Sequence, residues 1–241
     1  MSTGQLSSQV LASPTARVAD PYLVAIANQK GGCGKSLISM GLGAVTADAN
    51  GRAFLVDIDE QSTTAEVAER AERAGTTLPF DYTADTDPDH LAKLRKVRGV
   101  DMVFIDCPGS LEGREILRKV LTQIDFVIIP YVHDPFYLTP TRRTAAICAE
   151  MGVPHAALIN RVDTRRGGGV SLLEDAQAVL DKLRVPRFRS FVREYVAHQQ
   201  AHVEGLMITQ YRGDKNAVHA CEDIRRVHTE LLLRLQPRQG M

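Results

Sequence analysis

The glycine-rich stretch at residues 28–36, Asn-Gln-Lys-Gly-Gly-Cys-Gly-Lys-Ser, constrains the fold of this chain more than any other feature. It follows an apolar run, residues 22–27, and precedes a segment rich in Ala, Leu and Met, residues 37–49, so a buried strand and then a helix are predicted. A glycine turn between strand and helix directs backbone N–H groups into one concavity, which attracts phosphate oxygens. Lys35 can then reach the β- and γ-phosphates, and the Ser36 hydroxyl can ligate Mg²⁺. The stretch therefore predicts a site for a nucleotide with magnesium.

Strand-like apolar runs alternate with helical patterns along the rest of the chain, which predicts an α/β fold with a doubly wound, mostly parallel sheet flanked by helices. Further strands are predicted at 53–59, 100–105, 126–129 and 156–160, and further helices at 63–74, 89–98, 112–122, 138–151, 171–183 and 216–235. Residues 75–88 are predicted to be irregular. The length of 241 residues suits one domain, 21–241, after an N-terminal arm, residues 1–20, that is predicted to be mobile.

The charge of the chain is balanced overall but unevenly distributed. Residues 184–241 hold 10 Lys and Arg against 6 Asp and Glu, a net charge of +4, while the remainder carries −4. A basic C-terminal region on a neutral protein indicates a localised anionic partner. The four cysteines form no C-x-x-C pair, so reduced thiols in a cytoplasmic protein are expected. No apolar run approaches the ~18 residues of a membrane span, so no membrane association is expected.

Acidic residues follow two of the predicted strands. Asp57 and Asp59 end the strand at 53–59, and alternation along a strand would place both carboxylates on one side. Asp106 follows the apolar run 102–105, as does the acid that reaches Mg²⁺ through water in phosphoryl-transfer sites. Considered alone, Asp57 and Asp59 could be a pair of solvated strand-end acids, and a single Asp at a strand end, such as Asp106, does not by itself indicate a metal site. Their positions downstream of Lys35 favour a nucleotide site, because ligands bind at the carboxyl ends of strands in α/β sheets.

Residues 30–36, Lys-Gly-Gly-Cys-Gly-Lys-Ser, resemble the deviant Walker A motif of the ParA/MinD group of ATPases, most closely that of ParA partition ATPases. Residues 57–61, Asp-Ile-Asp-Glu-Gln, are similar to the family motif Asp-x-Asp-Pro-Gln, with Glu60 in place of proline. The resemblance extends to about Leu233. It implies a P-loop fold and a Mg²⁺-dependent ATPase whose slow hydrolysis a partner stimulates.

The resemblance also implies a role for each site residue. Lys30 would reach across an ATP-dependent homodimer to the partner's nucleotide, acting in catalysis with Lys35 and with Asp59, which would orient the attacking water. Asn160 would recognise the base, and Leu37 replaces a threonine that helps to bind the α-phosphate in the family. The implied nucleotide-binding residues are Lys30, Gly31, Gly32, Cys33, Gly34, Lys35, Ser36, Leu37 and Asn160, and the implied metal-site residues are Ser36, Asp57 and Asp106.

Residues 191–205 are similar to a family stretch that begins with an apolar residue and arginine and ends in glycine. By this resemblance, Arg193 and Lys215 would contribute to DNA binding on the dimer. Arg225 and Arg226 lie off the apolar stripe of the last predicted helix and could extend that surface, although each could equally be an ordinary solvated charge. Contacts of this kind would be made to phosphates and would be independent of sequence. Gly109 stands where the family often has proline, and little chemical effect is expected.

Together these features predict a cytoplasmic, nucleoid-associated ParA-type ATPase that segregates a plasmid or chromosome with a ParB-like partner. Three alternatives stay open. One is a MinD-like membrane switch, which would need a C-terminal amphipathic helix free to lie on lipid, whereas the segment at 230–235 is short and is expected to pack on the domain. Another is a ParA-like ATPase that positions a different cargo, such as chemoreceptor clusters or carboxysomes. The third, an iron–sulfur ATPase like the nitrogenase iron protein, lacks a supporting pattern around Cys107 and Cys148.

Overall fold

Parallel strands form one sheet in this computed structural model, which describes residues 20–59, 62–84, 91–109, 113–164 and 169–235. Within those ranges the sheet has six strands: β1 (Tyr22–Ile26), β2 (Ala53–Asp57), β3 (Asp81–Ala84), β4 (Met102–Asp106), β5 (Phe126–Tyr131) and β6 (His155–Ile159). Their order across the sheet is β3-β2-β4-β1-β5-β6, and every neighbouring pair is parallel. The predicted doubly wound parallel sheet is therefore confirmed.

Helices cover both faces of this sheet. They are α1 (Lys35–Asp48), α2 (Thr63–Arg73), α3 (Leu91–Leu94), α4 (Gly113–Leu121), α5 (Pro135–Glu150), α6 (Gly169–Lys182), α7 (Val196–Val203) and α8 (Ala217–Arg234). In β1, Val24 and Ile26 face one apolar core while Leu23 and Ala25 face the other. Burial on both faces explains why the strands are continuous apolar runs rather than alternating patterns. Among the described residues, no helix combines the length and apolar content that crossing a bilayer requires.

Several elements differ from the prediction; α3, for example, ends at Leu94, whereas its helix was predicted to extend to residue 98. β3 lies within 75–88, which was predicted to be irregular; it is a largely exposed edge strand of sequence Asp-Tyr-Thr-Ala that lacks an apolar run. α7 lies within 191–205, where no helix was predicted. α5 begins at Pro135 rather than at 138, because the Asp134 side chain caps it by accepting a hydrogen bond from the Phe136 N–H at 2.8 Å. The predicted mobile arm lies, except for Asp20, outside the described residues.

His198, on α7, is buried where this helix packs against α8, with 4% of its surface exposed. Within the described ranges its Nε2 atom has no hydrogen-bond partner. Burial lowers the pKa of His198 to about 4, against a smaller opposing effect of Asp223. The native protein therefore holds this imidazole neutral at a pH where the unfolded chain protonates it.

Acid is consequently expected to destabilise the fold through His198. Between the unfolded pKa of about 6.5 and the native value, the unfolded state binds more protons, so stability falls as the pH falls. From pH 7 to pH 5 this residue should remove about 2 kcal/mol from the free energy of unfolding. Urea unfolding at both pH values should show a shallower pH dependence for His198→Leu than for the wild type. His219→Leu, at an exposed position of α8, should keep the wild-type dependence; identical slopes in all three proteins would contradict the assignment.

Candidate nucleotide-binding site

The glycine-rich loop joins β1 to α1 at the carboxyl edge of the sheet. Because β1 lies between β4 and β5, the loop is flanked by the ends of both neighbouring strands. Gly32 and Gly34 have φ angles of +76° and +91°, a region that favours glycine. No side chain caps the N-terminus of α1, and its first turn contains no acidic residue. The free N–H groups and the helix dipole therefore provide an anion site of the predicted kind.

Asn160, which directly follows β6, binds the glycine-rich loop through its side chain. Its Nδ2 donates to the Cys33 carbonyl at 2.8 Å, and its Oδ1 accepts from the Arg161 N–H at 2.9 Å. A β-carbon on Gly34 would lie 2.3 Å from the same Nδ2 atom. Only 2% of Asn160 is exposed, so its carboxamide braces the loop in this conformation. Base recognition by Asn160 stays a prediction. It would require the carboxamide to replace its hydrogen bonds to Cys33 and Arg161 with hydrogen bonds to the base.

The two lysines of the loop occupy different environments. Lys35 is buried, and its Nζ donates to the Lys30 carbonyl at 3.4 Å, which points its charge across the loop. The thiol of Cys33 donates to the same carbonyl at 3.3 Å, and burial raises the pKa of that thiol. Lys30 is half-buried, with its Nζ 5.9 Å from the centroid of the Tyr137 ring. The backbone of Lys30 thus belongs to the cradle, while its side chain lies on the α5 side.

Asp106 is fully buried at the end of β4, and neither carboxylate oxygen has a hydrogen-bond partner of good geometry within the described ranges. Burial raises its pKa to about 7, although the nearby Ser36 hydroxyl has a lowering effect. Asp57 lies directly opposite on β2. A buried acid that lacks a hydrogen-bond partner in the described part of the chain, beside a hydroxyl and Lys35, is the donor set that a hydrated Mg²⁺ ion would complete. The residues present therefore fit the predicted metal.

Asp57 has a structural task as well. β2 ends at Asp57, whose oxygens accept hydrogen bonds from the N–H groups of Asp59 and Thr64, each at 3.1 Å. The side chain of Asp57 therefore ties the loop after β2 to the first turn of α2. Asp59 lies beyond the strand and is half-buried, so the alternation that was expected to place both acids on one side does not apply. Their proposed roles at the metal and the attacking water stay predictions.

Gly109 brings the segment after β4 against the glycine-rich loop. A β-carbon at this position would lie 2.8 Å from the Lys35 Nζ and 3.0 Å from the Gly31 backbone nitrogen. In this conformation a side chain at position 109 would require the glycine-rich loop to shift. The expectation that glycine in place of the family's proline has little chemical effect stays a prediction. Leu37, another departure from the family pattern, packs partly buried against the core beneath α1.

One face of α5 supports the start of the loop, a contribution that the sequence did not predict. Asn28 donates to the Thr141 hydroxyl at 2.9 Å, and the Gln29 N–H donates to the Thr144 hydroxyl at 3.3 Å. One turn earlier on the same face, the Tyr137 hydroxyl would lie 3.2 Å from a β-carbon on Gly32. Tyr137, Thr141 and Thr144 are four and three positions apart, a spacing that places them on one helix face. This face was missed from the sequence because the helix was predicted to begin after Tyr137.

The four predicted DNA-binding residues differ in availability. Arg193 forms an ion pair with the buried Asp223, with a shortest N–O distance of 2.6 Å, and stacks on the Tyr195 ring. Arg225 pairs with Asp48, also at 2.6 Å. Arg226 is exposed, and its ion pair with Glu222 is long, at 3.8 Å between nitrogen and oxygen. Lys215 is exposed and has no ion pair in the described part of the chain. The structure therefore leaves Lys215 and Arg226 as the more available cations.

The parallel sheet and the positive-φ glycine loop before α1 define a nucleotide-binding protein of the P-loop class. Within that class, the chain belongs to the family described as the CobQ/CobB/MinD/ParA nucleotide binding domain, whose model matches residues 24–236. The resemblance to ParA/MinD ATPases is thereby confirmed.

The chain is 38% identical over 212 residues to "Maintenance of carboxysome distribution protein A" of Gloeobacter kilaueensis, covering 88% of this chain and 94% of that protein. It is 26% identical over 248 residues to "Chromosome-partitioning ATPase Soj" of Thermus thermophilus, covering 88% and 96%. The solved ATP complex of a variant McdA from Cyanothece superposes with a TM-score of 0.66 at 14% identity, covering 92% of this chain and 99% of that one. This structural likeness supports the fold.

Proposed function

We propose that this chain is a Mg²⁺-dependent ATPase that pairs with a second copy when it holds ATP, and that the paired form positions a cargo inside the cell. The observation that carries the proposal is the juxtaposition of the uncapped N-terminus of α1, the buried Lys35 and Asp106, whose carboxylate oxygens have no hydrogen-bond partner among the described residues. Cationic donors and an acid at one sheet edge suit a triphosphate with its metal.

Each residue of the site has a defined task in this proposal. The N–H groups of the loop and the Lys35 ammonium would hold the phosphates. Ser36 and Asp106 would hold Mg²⁺, which when bound neutralises charge on the phosphate oxygens. Asp59 would orient the attacking water, and Lys30 would add positive charge to the nucleotide of the partner copy, as an arginine finger does.

The relatives favour cargo positioning over the partition of plasmids or chromosomes. The carboxysome distribution protein of Gloeobacter kilaueensis has 38% identity to this chain, against 26% for the chromosome-partitioning Soj. The proposed cargo is therefore a protein-shelled body of the carboxysome kind. Deleting the gene in its host should cause such bodies to cluster, which electron tomography would measure. Plasmids and chromosomes should be retained as in the wild type. Loss of a replicon with unchanged distribution of these bodies would contradict this choice.

The anionic surface on which the cargo moves is proposed to be DNA, bound by Lys215, just before α8, and by Arg226, midway along α8. Arg193 and Arg225 would contribute less, because ion pairs already engage their guanidinium groups. Lys215→Glu and Arg226→Glu are each expected to weaken ATP-dependent DNA binding about tenfold at low salt and to reduce its salt dependence. Fluorescence anisotropy with a labelled duplex, at several salt concentrations and with ATP, ADP or no nucleotide, measures both effects.

Lys182→Glu is the matched control, since Lys182 is exposed on α6 and makes no ion pair within the described ranges. It should bind DNA as the wild type does. Equal binding in all nucleotide states would remove the proposed coupling to ATP. Sedimentation with anionic liposomes in place of DNA tests the MinD-like alternative, and ATP-dependent pelleting with liposomes but not with DNA would favour it.

A further inference from the structure

The side chain of Tyr137, on α5, lies beside two residues of the glycine-rich loop, Lys30 and Gly32. Its ring lies 5.9 Å from the Lys30 Nζ, within the range of a cation–π interaction. Its hydroxyl lies beside Gly32, whose φ of +76° makes the sharp turn before Lys35. One aromatic side chain thus contacts both the front lysine and the turn that forms the phosphate cradle.

The backbone around Tyr137 is held firmly. Asp134 caps α5 through its side chain, and its carbonyl accepts a hydrogen bond from the Tyr137 N–H at 3.0 Å. The ring is half-buried against the apolar core beneath α5. Thr141 and Thr144 bind the start of the loop from the same helix face, which holds α5, and with it Tyr137, beside Lys30.

From this geometry we infer that Tyr137 is a positioning residue that holds the Lys30 ammonium on the α5 side of the loop, ready to meet the nucleotide of a second copy. The inference rests on the proposed function, in which Lys30 acts across the dimer. A long lysine side chain has high rotamer entropy, and a ring that restricts it lowers the entropy lost when the dimer forms. Tyr137 itself needs no contact with the reacting atoms.

The test is a double-mutant cycle on ATP-dependent dimerisation, measured by sedimentation velocity. Tyr137→Leu should weaken dimerisation two- to fivefold in the wild-type background, which is the scale of an exposed cation–π interaction. The same change should have no effect once Lys30 is Met, because the ring then has no cation to hold. Tyr137→Phe keeps the ring and should dimerise as the wild type does. Tyr82→Leu, at the exposed edge strand β3, controls for loss of a tyrosine elsewhere.

The outcomes separate this inference from the proposed function. If Lys30→Met itself dimerises and hydrolyses ATP normally, the proposed function fails. Two results would overturn only the positioning role of Tyr137. In the first, Lys30→Met is impaired but Tyr137→Leu dimerises normally. In the second, Tyr137→Leu weakens dimerisation equally with Lys and with Met at position 30. Thermal melting should confirm that every variant is folded.

Discussion

Gly205→Ala is expected to destabilise the protein by about 3–5 kcal/mol, a loss that few single changes produce. Gly205 is buried after α7 with a φ of +69°, and a β-carbon there would lie 2.3 Å from the Ala71 backbone nitrogen. The overlap is with the backbone of α2, which cannot turn aside as a side chain can. Either α7 must separate from α2 or α2 must distort, and both lose buried contacts. Guanidinium unfolding followed by circular dichroism measures the change.

Gly75→Ala is the matched control, because Gly75 follows the same helix α2 with a φ of +71° and has nothing within 4 Å of a β-carbon. It should cost about 1 kcal/mol, the penalty of a left-handed backbone alone. The difference between the two variants therefore isolates the steric overlap. If Gly205→Ala destabilised no more than Gly75→Ala, the close packing of α7 on α2 would be contradicted.

Lys30→Met is expected to reduce ATP hydrolysis by at least a hundredfold, since a cation supplied in trans is worth about 10³ or more in phosphoryl transfer. Nucleotide binding by the monomer should change little, because Lys35 contacts the Lys30 carbonyl rather than its side chain. Steady-state phosphate release measures the first effect, and titration with a fluorescent ADP analogue measures the second.

Lys182→Met serves as the control for loss of a lysine, on the exposed side of α6. It should hydrolyse ATP at the wild-type rate. A Lys30→Met protein with wild-type turnover would show that the front lysine makes no contribution to catalysis, and the action across the dimer would have to be abandoned.

The sequence predicted the parts of the fold whose local signals agree with their tertiary context. The apolar run of β1, the glycine loop and the start of α1 are consecutive in the chain, so spacing alone placed Lys35 and Ser36 at a helix N-terminus. Asp106 was found in the same way, as an acid ending a fully buried strand. The family comparison supports a nucleotide-binding domain, and the roles of these three residues stay predictions.

Other features could not be found because their cause is tertiary. β3 is a polar edge strand that depends on pairing with β2. Arg193 was predicted to bind DNA, but its main partner is the buried Asp223, 30 positions away in sequence. Gly205 was noted only as the end of the family's DNA-binding stretch, whereas the structure shows that α2 leaves no room there for a side chain. Tyr137 reaches Lys30 only through the packing of α5 beside the loop.

The most direct test of the account is the mass of the purified protein in light scattering with Mg·ATP, with Mg·ADP and without nucleotide. Pairing through the triphosphate predicts twice the 26.5 kDa of one chain with Mg·ATP, at concentrations where the other two samples give the mass of one chain. A single-chain mass for protein shown to be saturated with ATP would contradict the claim that the triphosphate joins two copies.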